Sequence, residues 1–340
     1  MTEHNLTPAE QELYHAEVGA LRDGAIEFAA ESPWPVHPEY TAIAVSYVGR
    51  EPLAADIVLP RVTGRMRSTG KYTVYNESDA FALPDTELGR VSRPNLFYPG
   101  GKESSYAMAA HGLRGYVPQE DIDDAAAQAD PLRYTVRVLT SILRRVREKR
   151  VATVVTTPAN YPAANKHTFA KDADRWDAST SDPAEDLLSA IDSMWVMPTH
   201  LVLSNNVWLK LRQQTNFVKA IRGQQGDKGI LTRMEVAEKL ELQEVVVAGA
   251  REASSNPGQN LTVGRTWGKN ALLFAQHDAS MGMEAQPAFG VTPTYGGGIE
   301  VLTSYAEDVG MGSHGVIVRE KRAELMVSNR AGYLFPGAIK

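Results

Sequence analysis

Polar and apolar positions change period several times along the chain, and the changes outline its elements. Residues 7–30 carry Leu13, Val18, Leu21 and Phe28 at helical spacing, with Thr7 as N-cap and Pro8 at the first helical position. Three prolines between Ser32 and Pro38 end that helix. Thr41–Val48 is apolar and fits either an extended or a helical segment. From Lys71 the period becomes two: Tyr72 and Val74 alternate with Thr73 and Tyr75. Tyr106, Met108 and Ala110 form a second alternating run. Between the two runs, Pro84–Asp85 and Arg93–Pro94–Asn95 are turn chemistry. This pattern predicts a long hairpin whose middle has too few large apolar residues for a core of its own. An isolated two-stranded ribbon is marginal in water, so the hairpin needs a partner surface.

The strongest helical pattern follows. Asp130 caps, Pro131 opens, and Leu132, Val136, Leu139, Leu143 and Val146 share one face up to about Val155. Acidic residues precede this helix, and Arg144, Arg145, Arg147, Lys149 and Arg150 crowd what reads as its end, which suits the helix dipole. Residues 157–182 read as a loop. Asp182, Pro183 and Glu185 then open a helix with a stripe of Leu187, Leu188, Ile191, Met194 and Trp195. Leu201–Leu203, Val245–Val247 and Leu272–Phe274 are short buried strands. Trp208, Leu209 and Leu211 mark another helix, and Thr232 with Glu235 makes a capping box. After Gly296–Gly298 strands run to the end: Ile299–Tyr305, Gly315–Arg319, Ala323–Val327 and Tyr333–Phe335.

Composition narrows the function classes. The 340 residues include 35 basic and 41 acidic side chains, a net charge of −6, which argues against a coat held on nucleic acid by charge alone. There is no cysteine, so disulfides and thiolate metal sites are excluded. No apolar run reaches the roughly 18 residues of a membrane span, and the first residues do not read as a signal peptide.

The chemical motifs are weak. Gly310, Gly312 and Gly315 spell G-x-G-x-x-G, but VIVREKRAELMV follows and reads as strand, so a turn between strands is expected. Asp172, Asp174 and Asp177 lack the glycine and distal glutamate of a calcium loop and read as a solvated acidic loop. The histidines show no metal-ligand spacing, and neither G-x-S-x-G nor a Walker sequence occurs. The basic run Arg144–Arg150 is read as a neutralised helix end that also pairs with acidic neighbours in an assembly, ahead of contact with nucleic acid. No catalytic, cofactor-binding or metal-binding residue is assigned, and no cofactor is expected.

The order of parts resembles the tailed-bacteriophage major capsid proteins of the Hong Kong ninety-seven fold. PLAADIVLPRVTG is similar to the strand leading into that family's extended loop, and KYTVYNESDAF to the loop's ascending arm. SSYAMAAHGLRGYVPQEDIDDA with the 130–155 helix resembles the returning strand and spine helix. TWGKNALLFAQ with AFGVTPTY resembles late strands of the axial domain, and SYAEDVGMGSHGVIVREKRAELMVSNRAGYLF the final strands of the peripheral domain. The resemblance implies an α+β fold in four parts: an N-terminal arm (1–50), an extended loop (51–105), a peripheral domain (106–182 and 305–340) and an α/β axial domain (183–304). It implies self-assembly into hexamers and pentamers of an icosahedral shell around double-stranded DNA, with scaffolding, portal and decoration or minor capsid proteins as partners and no membrane. The protein would be made in the host cytoplasm and end in the virion. An encapsulin-type nanocompartment is the alternative. The expected assembly contacts are Arg65, Arg67, Lys71, Arg90 and Arg93 on the loop, meeting Asp121, Asp123 and Asp124 of a neighbour.

Overall fold

The computed structural model describes residues 36–46, 53–62, 67–75, 82–88, 93–96, 100–125, 130–223, 229–255, 259–260, 262–276 and 288–340. The helix expected over 7–30 lies outside these residues. In chain order the helices are α1 (Pro38–Ser46), α2 (Ala55–Val58), α3 (Gln119–Asp123), α4 (Pro131–Thr156), α5 (Pro183–Ser193), α6 (Asn205–Leu211), α7 (Thr215–Arg222) and α8 (Arg233–Lys239). The strands of the first half are β1 (Arg61–Val62), β2 (Thr69–Tyr75), β3 (Gly101–Ala107) and β4 (Ala109–Pro118). The central strands are β5 (His200–Ser204), β6 (Glu244–Ala248), β7 (Arg251–Ala253), β8 (Val263–Arg265) and β9 (Ala271–Phe274). The last are β10 (Gly290–Pro293), β11 (Glu300–Ala306), β12 (Ser313–Arg322), β13 (Leu325–Met326) and β14 (Gly332–Phe335).

Helix α4 is the spine of the molecule, about 39 Å long at 1.5 Å per residue. Asp130 caps it as expected, its carboxylate accepting from the N–H of Arg133 at 2.9 Å. Its first half lies against an antiparallel sheet ordered β11-β12-β4. There Val136 and Leu143 meet Val301, Val316 and Val318, and Ala44 of α1 closes the cluster. Its second half lies against another sheet, ordered β14-β9-β5-β6, in which β5 and β6 are parallel. Val151, Ala152 and Val155 pack there on Val202, Val246, Leu272 and Phe274. The opposite face of that sheet carries Leu201, Leu203, Val245 and Leu273, covered by Leu187, Val207, Phe217 and Val236 of α5–α8. A sheet covered on both sides has continuously apolar strands, which is why Leu201–Leu203 and Val245–Val247 carry no alternation.

Several expectations change. Tyr333–Phe335, grouped by sequence with the peripheral strands, instead pairs with β9 in the α/β sheet, Leu334 opposite Leu272. Val146 is exposed, and Arg147 takes the buried position expected of a hydrophobic residue. Leu188, Trp195 and Leu209 are also largely exposed; the Trp195 ring stacks under the Arg330 guanidinium, 4.2 Å from its centroid. Of PLAADIVLPRVTG, expected as a strand, Ala55–Val58 instead forms the short helix α2, and Arg61–Val62 is the strand β1. The ambiguous 41–48 segment is helical where it is described, as part of α1. The basic run does not end α4, which continues to Thr156 and has no basic residue in its last turn. The Thr232–Glu235 capping box forms in both directions. The glycine-rich motif is the expected turn, joining β11 to β12 with Gly310 and Gly312 at positive φ.

Candidate assembly surface

The hairpin grows from a rooted base. β2 and β3 pair antiparallel over seven residues, from Thr69 opposite Ala107 to Tyr75 opposite Gly101. Tyr106, Met108 and Ala323 are buried together at the root, with Tyr72 and Leu325 packed beside them. Gly70 leaves room for the Tyr106 ring, whose hydroxyl would stand 2.8 Å from a Cβ at that position. Farther out, the hydrogen bonds found among the described residues are local. Asp85 accepts the N–H of Glu87 at 3.0 Å through its side chain, and the Asn95 amide at 2.8 Å through its carbonyl. Leu83, Leu88 and Leu96 are 97%, 56% and 79% exposed. Three leucines in water on one projecting loop are apolar surface without a core in their own chain.

The expected contact residues divide between the hairpin and the outer end of the sheet. Arg67 and Arg93 are exposed. Lys71 is exposed too, and reaches Glu103 of the partner strand at 2.7 Å, a pairing the sequence reading did not foresee. Arg65 and Arg90 lie outside the described residues. Asp121, Asp123 and Asp124 are exposed on and just after α3. Gln119 fixes that helix by donating its N–H to Gly312 at 3.0 Å, and its side chain pairs with His314 at 3.0 Å. Among the described residues no ion pair joins the loop cations to these aspartates within the chain. The acidic loop is occupied locally: Asp172 pairs with Arg175 and Lys340, and Asp177 accepts the Lys340 N–H at 3.1 Å. No group of three metal-ligating side chains is found among the described residues.

The buried charges where the chain leads into the hairpin went unread. Glu148 is fully buried in the middle of α4. Its carboxylate accepts the N–H groups of Ala54 (2.9 Å) and Ala55 (2.8 Å), which would otherwise be orphaned at the start of α2, and the indole N–H of Trp267 (2.6 Å). Burial pushes the Glu148 pKa up, against the pull of those donors and Arg147. The adjacent Arg147 pairs with Asp56 and donates to the carbonyl of Leu59 at 2.9 Å. Burial alone would raise Asp56, but Arg147 and Arg61 outweigh it and hold its carboxyl below the usual value. Arg61 also reaches Glu320 at 2.6 Å, Glu320 pairs with Arg322, and Arg322 reaches Glu324 at 2.9 Å. The segment leading into the hairpin is thus tied by charge to the spine helix and to β12. A signal was present: Val136, Thr140, Leu143, Arg147 and Val151 recur at spacings of three and four, so position 147 falls on the buried stripe.

No protein-family model matches the chain. A major capsid protein from Pseudomonas phage JBD67 is 33% identical over 313 residues, covering 91% of this chain and 99% of that protein. The chain belongs to the phage major capsid proteins. A phage-related protein from Bordetella bronchiseptica has the same fold, with a TM-score of 0.70 at 22% identity, covering 90% of this chain and 98% of its own. The capsid structure of Cyanophage P-SCSP1u matches with a TM-score of 0.53 at 11% identity over 86% of this chain and 90% of that one. The α+β capsid fold expected from the resemblance is the fold observed.

Proposed function

We propose that this protein is the shell subunit of a tailed-phage virion, assembling into hexamers and pentamers of an icosahedral capsid around double-stranded DNA. The observation that carries the reading is the hairpin: anchored by Tyr72, Tyr106 and Met108, it leaves Leu83, Leu88 and Leu96 exposed, with no core around them among the described residues. The partner surface is a neighbouring copy. The role is structural, without catalysis. The parts follow the family layout: arm, extended loop, peripheral sheet on the first half of α4, and axial α/β layer on its second half. The last strand, β14, belongs with the axial sheet.

Arg65, Arg67, Lys71, Arg90 and Arg93 meet the Asp121, Asp123 and Asp124 surface of the neighbour. Such exposed pairs are worth only about 0–1 kcal/mol each; they set register, while leucine burial supplies the attraction. The protein is made in the host cytoplasm, and assembly involves scaffolding, portal and decoration or minor capsid proteins. Deletion of residues 70–97 tests the reading. The expected product is a soluble subunit that forms no shells; normal particles would refute it. Shells lacking nucleic acid in infected cells, loaded with enzyme cargo, would favour a nanocompartment instead.

A further inference from the structure

Helix α4 carries seven basic residues, and its only acid, Glu148, is turned into the core. In a chain of net charge −6 this is strong segregation of charge. Arg147 is used inside the fold, Arg144 donates to the Val45 carbonyl, and Arg150 lies on the His111 ring nitrogens. What remains outside is a ridge. Positions 133, 137, 141, 145 and 149, each four apart, read Arg, Arg, Ser, Arg, Lys. All four cations are exposed. Each step rises about 6 Å and turns about 40°, so the row climbs about 24 Å while winding round the helix, and its middle cations Arg137 and Arg145 stand about 12 Å apart along the axis. Its two ends are steadied by carboxylates: Arg133 is 3.6 Å from Asp130, and Lys149 is 3.0 Å from Glu252. Arg137 and Arg145, in the middle, have no carboxylate partner among the described residues. Tyr134, 70% exposed, lies three residues before Arg137 on the same helix.

We infer that this ridge is a contact for the phosphate backbone of double-stranded nucleic acid. Two cations held on a rigid helix, Arg137 and Arg145, with no carboxylate paired to them among the described residues, are complementary to a polymer carrying one negative charge per roughly 1.7 Å of duplex. Nothing on the ridge offers base-edge recognition, so the contact is independent of sequence. Only two cations per subunit are uncommitted, so each contact is weak and its effect comes from repetition over the shell. The inference rests on the reading of the chain as a genome-enclosing shell subunit.

The test is duplex binding by the purified, unassembled full-length chain, followed by fluorescence anisotropy with a 30-base-pair DNA across a salt series. With Arg137 and Arg145 as two phosphate contacts the slope of log affinity against log salt is about −2. The double variant Arg137→Gln, Arg145→Gln is expected to reduce that slope by about 2 and to bind roughly tenfold more weakly at about 50 mM salt. A charge-matched control, Lys210→Gln with Lys239→Gln, leaves both unchanged. Absence of duplex binding by the wild type, or equal binding by the ridge variant, overturns the inference. So does stronger binding of polyglutamate than of duplex, which would assign the ridge to an acidic protein. Electron microscopy of the same preparations separates the two readings: shell formation by the wild type tests the capsid role whatever the DNA result. Loss of shells with unaltered DNA binding in the ridge variant would make the ridge a subunit contact and overturn the inference.

Discussion

Glu148 accepts the indole N–H of Trp267 at 2.6 Å, so the middle of the spine helix is fastened to the segment between β8 and β9. The same carboxylate caps the start of α2 through Ala54 and Ala55. Three donors therefore converge on one fully buried acid. Glu148→Gln replaces one accepting oxygen by an N–H₂ group and leaves at least one buried donor unsatisfied. The expected loss is about 1–3 kcal/mol in urea unfolding of the subunit. Trp267→Phe removes one donor but leaves the acid two others, and costs less than removing the acid. Equal stability of Glu148→Gln and wild type would show that the carboxylate does not hold these elements.

Buried Glu148 and half-exposed Asp56 predict opposite responses to pH. Glu148 holds its proton more tightly folded than unfolded. Its contribution is therefore greatest at low pH and declines as pH rises from its ordinary 4.5 through its raised folded value. Asp56 is shifted down, so its contribution is present above its ordinary 3.8 and is lost as pH falls through the lower folded value. Urea midpoints measured from pH 3 to pH 7 should show Glu148→Gln flattening the decline above pH 4.5 and Asp56→Asn flattening the loss on the acid side. Identical profiles for all three proteins would contradict these environments.

How much of this was legible beforehand depended on whether a pattern was local. The cap at Asp130, the Thr232–Glu235 box and the apolar strands Leu201–Leu203 and Val245–Val247 are short-range features, and they form as read. The hairpin was legible from alternation at Tyr72–Val74 and from its turn residues. Position 147 was not, because an arginine on a helix reads as solvent-facing until Asp56, 91 residues away, is placed beside it. The turn Ala55–Val58, within the segment expected as strand, escaped for a similar reason: it is stabilised by Glu148, more than 90 residues on. The partner of the last strand was not legible because Leu334 and Phe335 suit either sheet, and only the fold pairs them with β9. Leu83, Leu88 and Leu96 were visible as residues, but their exposure was not.

The turn between β11 and β12 depends on Gly312. Its φ of +98° suits glycine, and a Cβ there would run into the Tyr305 hydroxyl. Gly312→Ala should cost more than about 1 kcal/mol and loosen the Gln119–Gly312 bond that holds α3. Gly297→Ala, with nothing within 4 Å of the new Cβ, should be close to neutral. Thermal unfolding of both variants checks the contrast, and equal effects would count against it.

The hairpin leucines separate folding from assembly. Leu83→Ser and Leu96→Ser change surface positions without packing partners among the described residues, so subunit stability should move by less than about 0.5 kcal/mol. Shell yield in an assembly reaction should nevertheless fall sharply. A loss of subunit stability with normal shells would mean that the leucines serve their own chain.

Electron cryomicroscopy of the purified full-length protein bears most directly on the shell-subunit account. It predicts closed shells in which residues 82–96 of every copy lie across a neighbour with Leu83, Leu88 and Leu96 buried there. A single-chain species whose hairpin packs against its own sheets would contradict it.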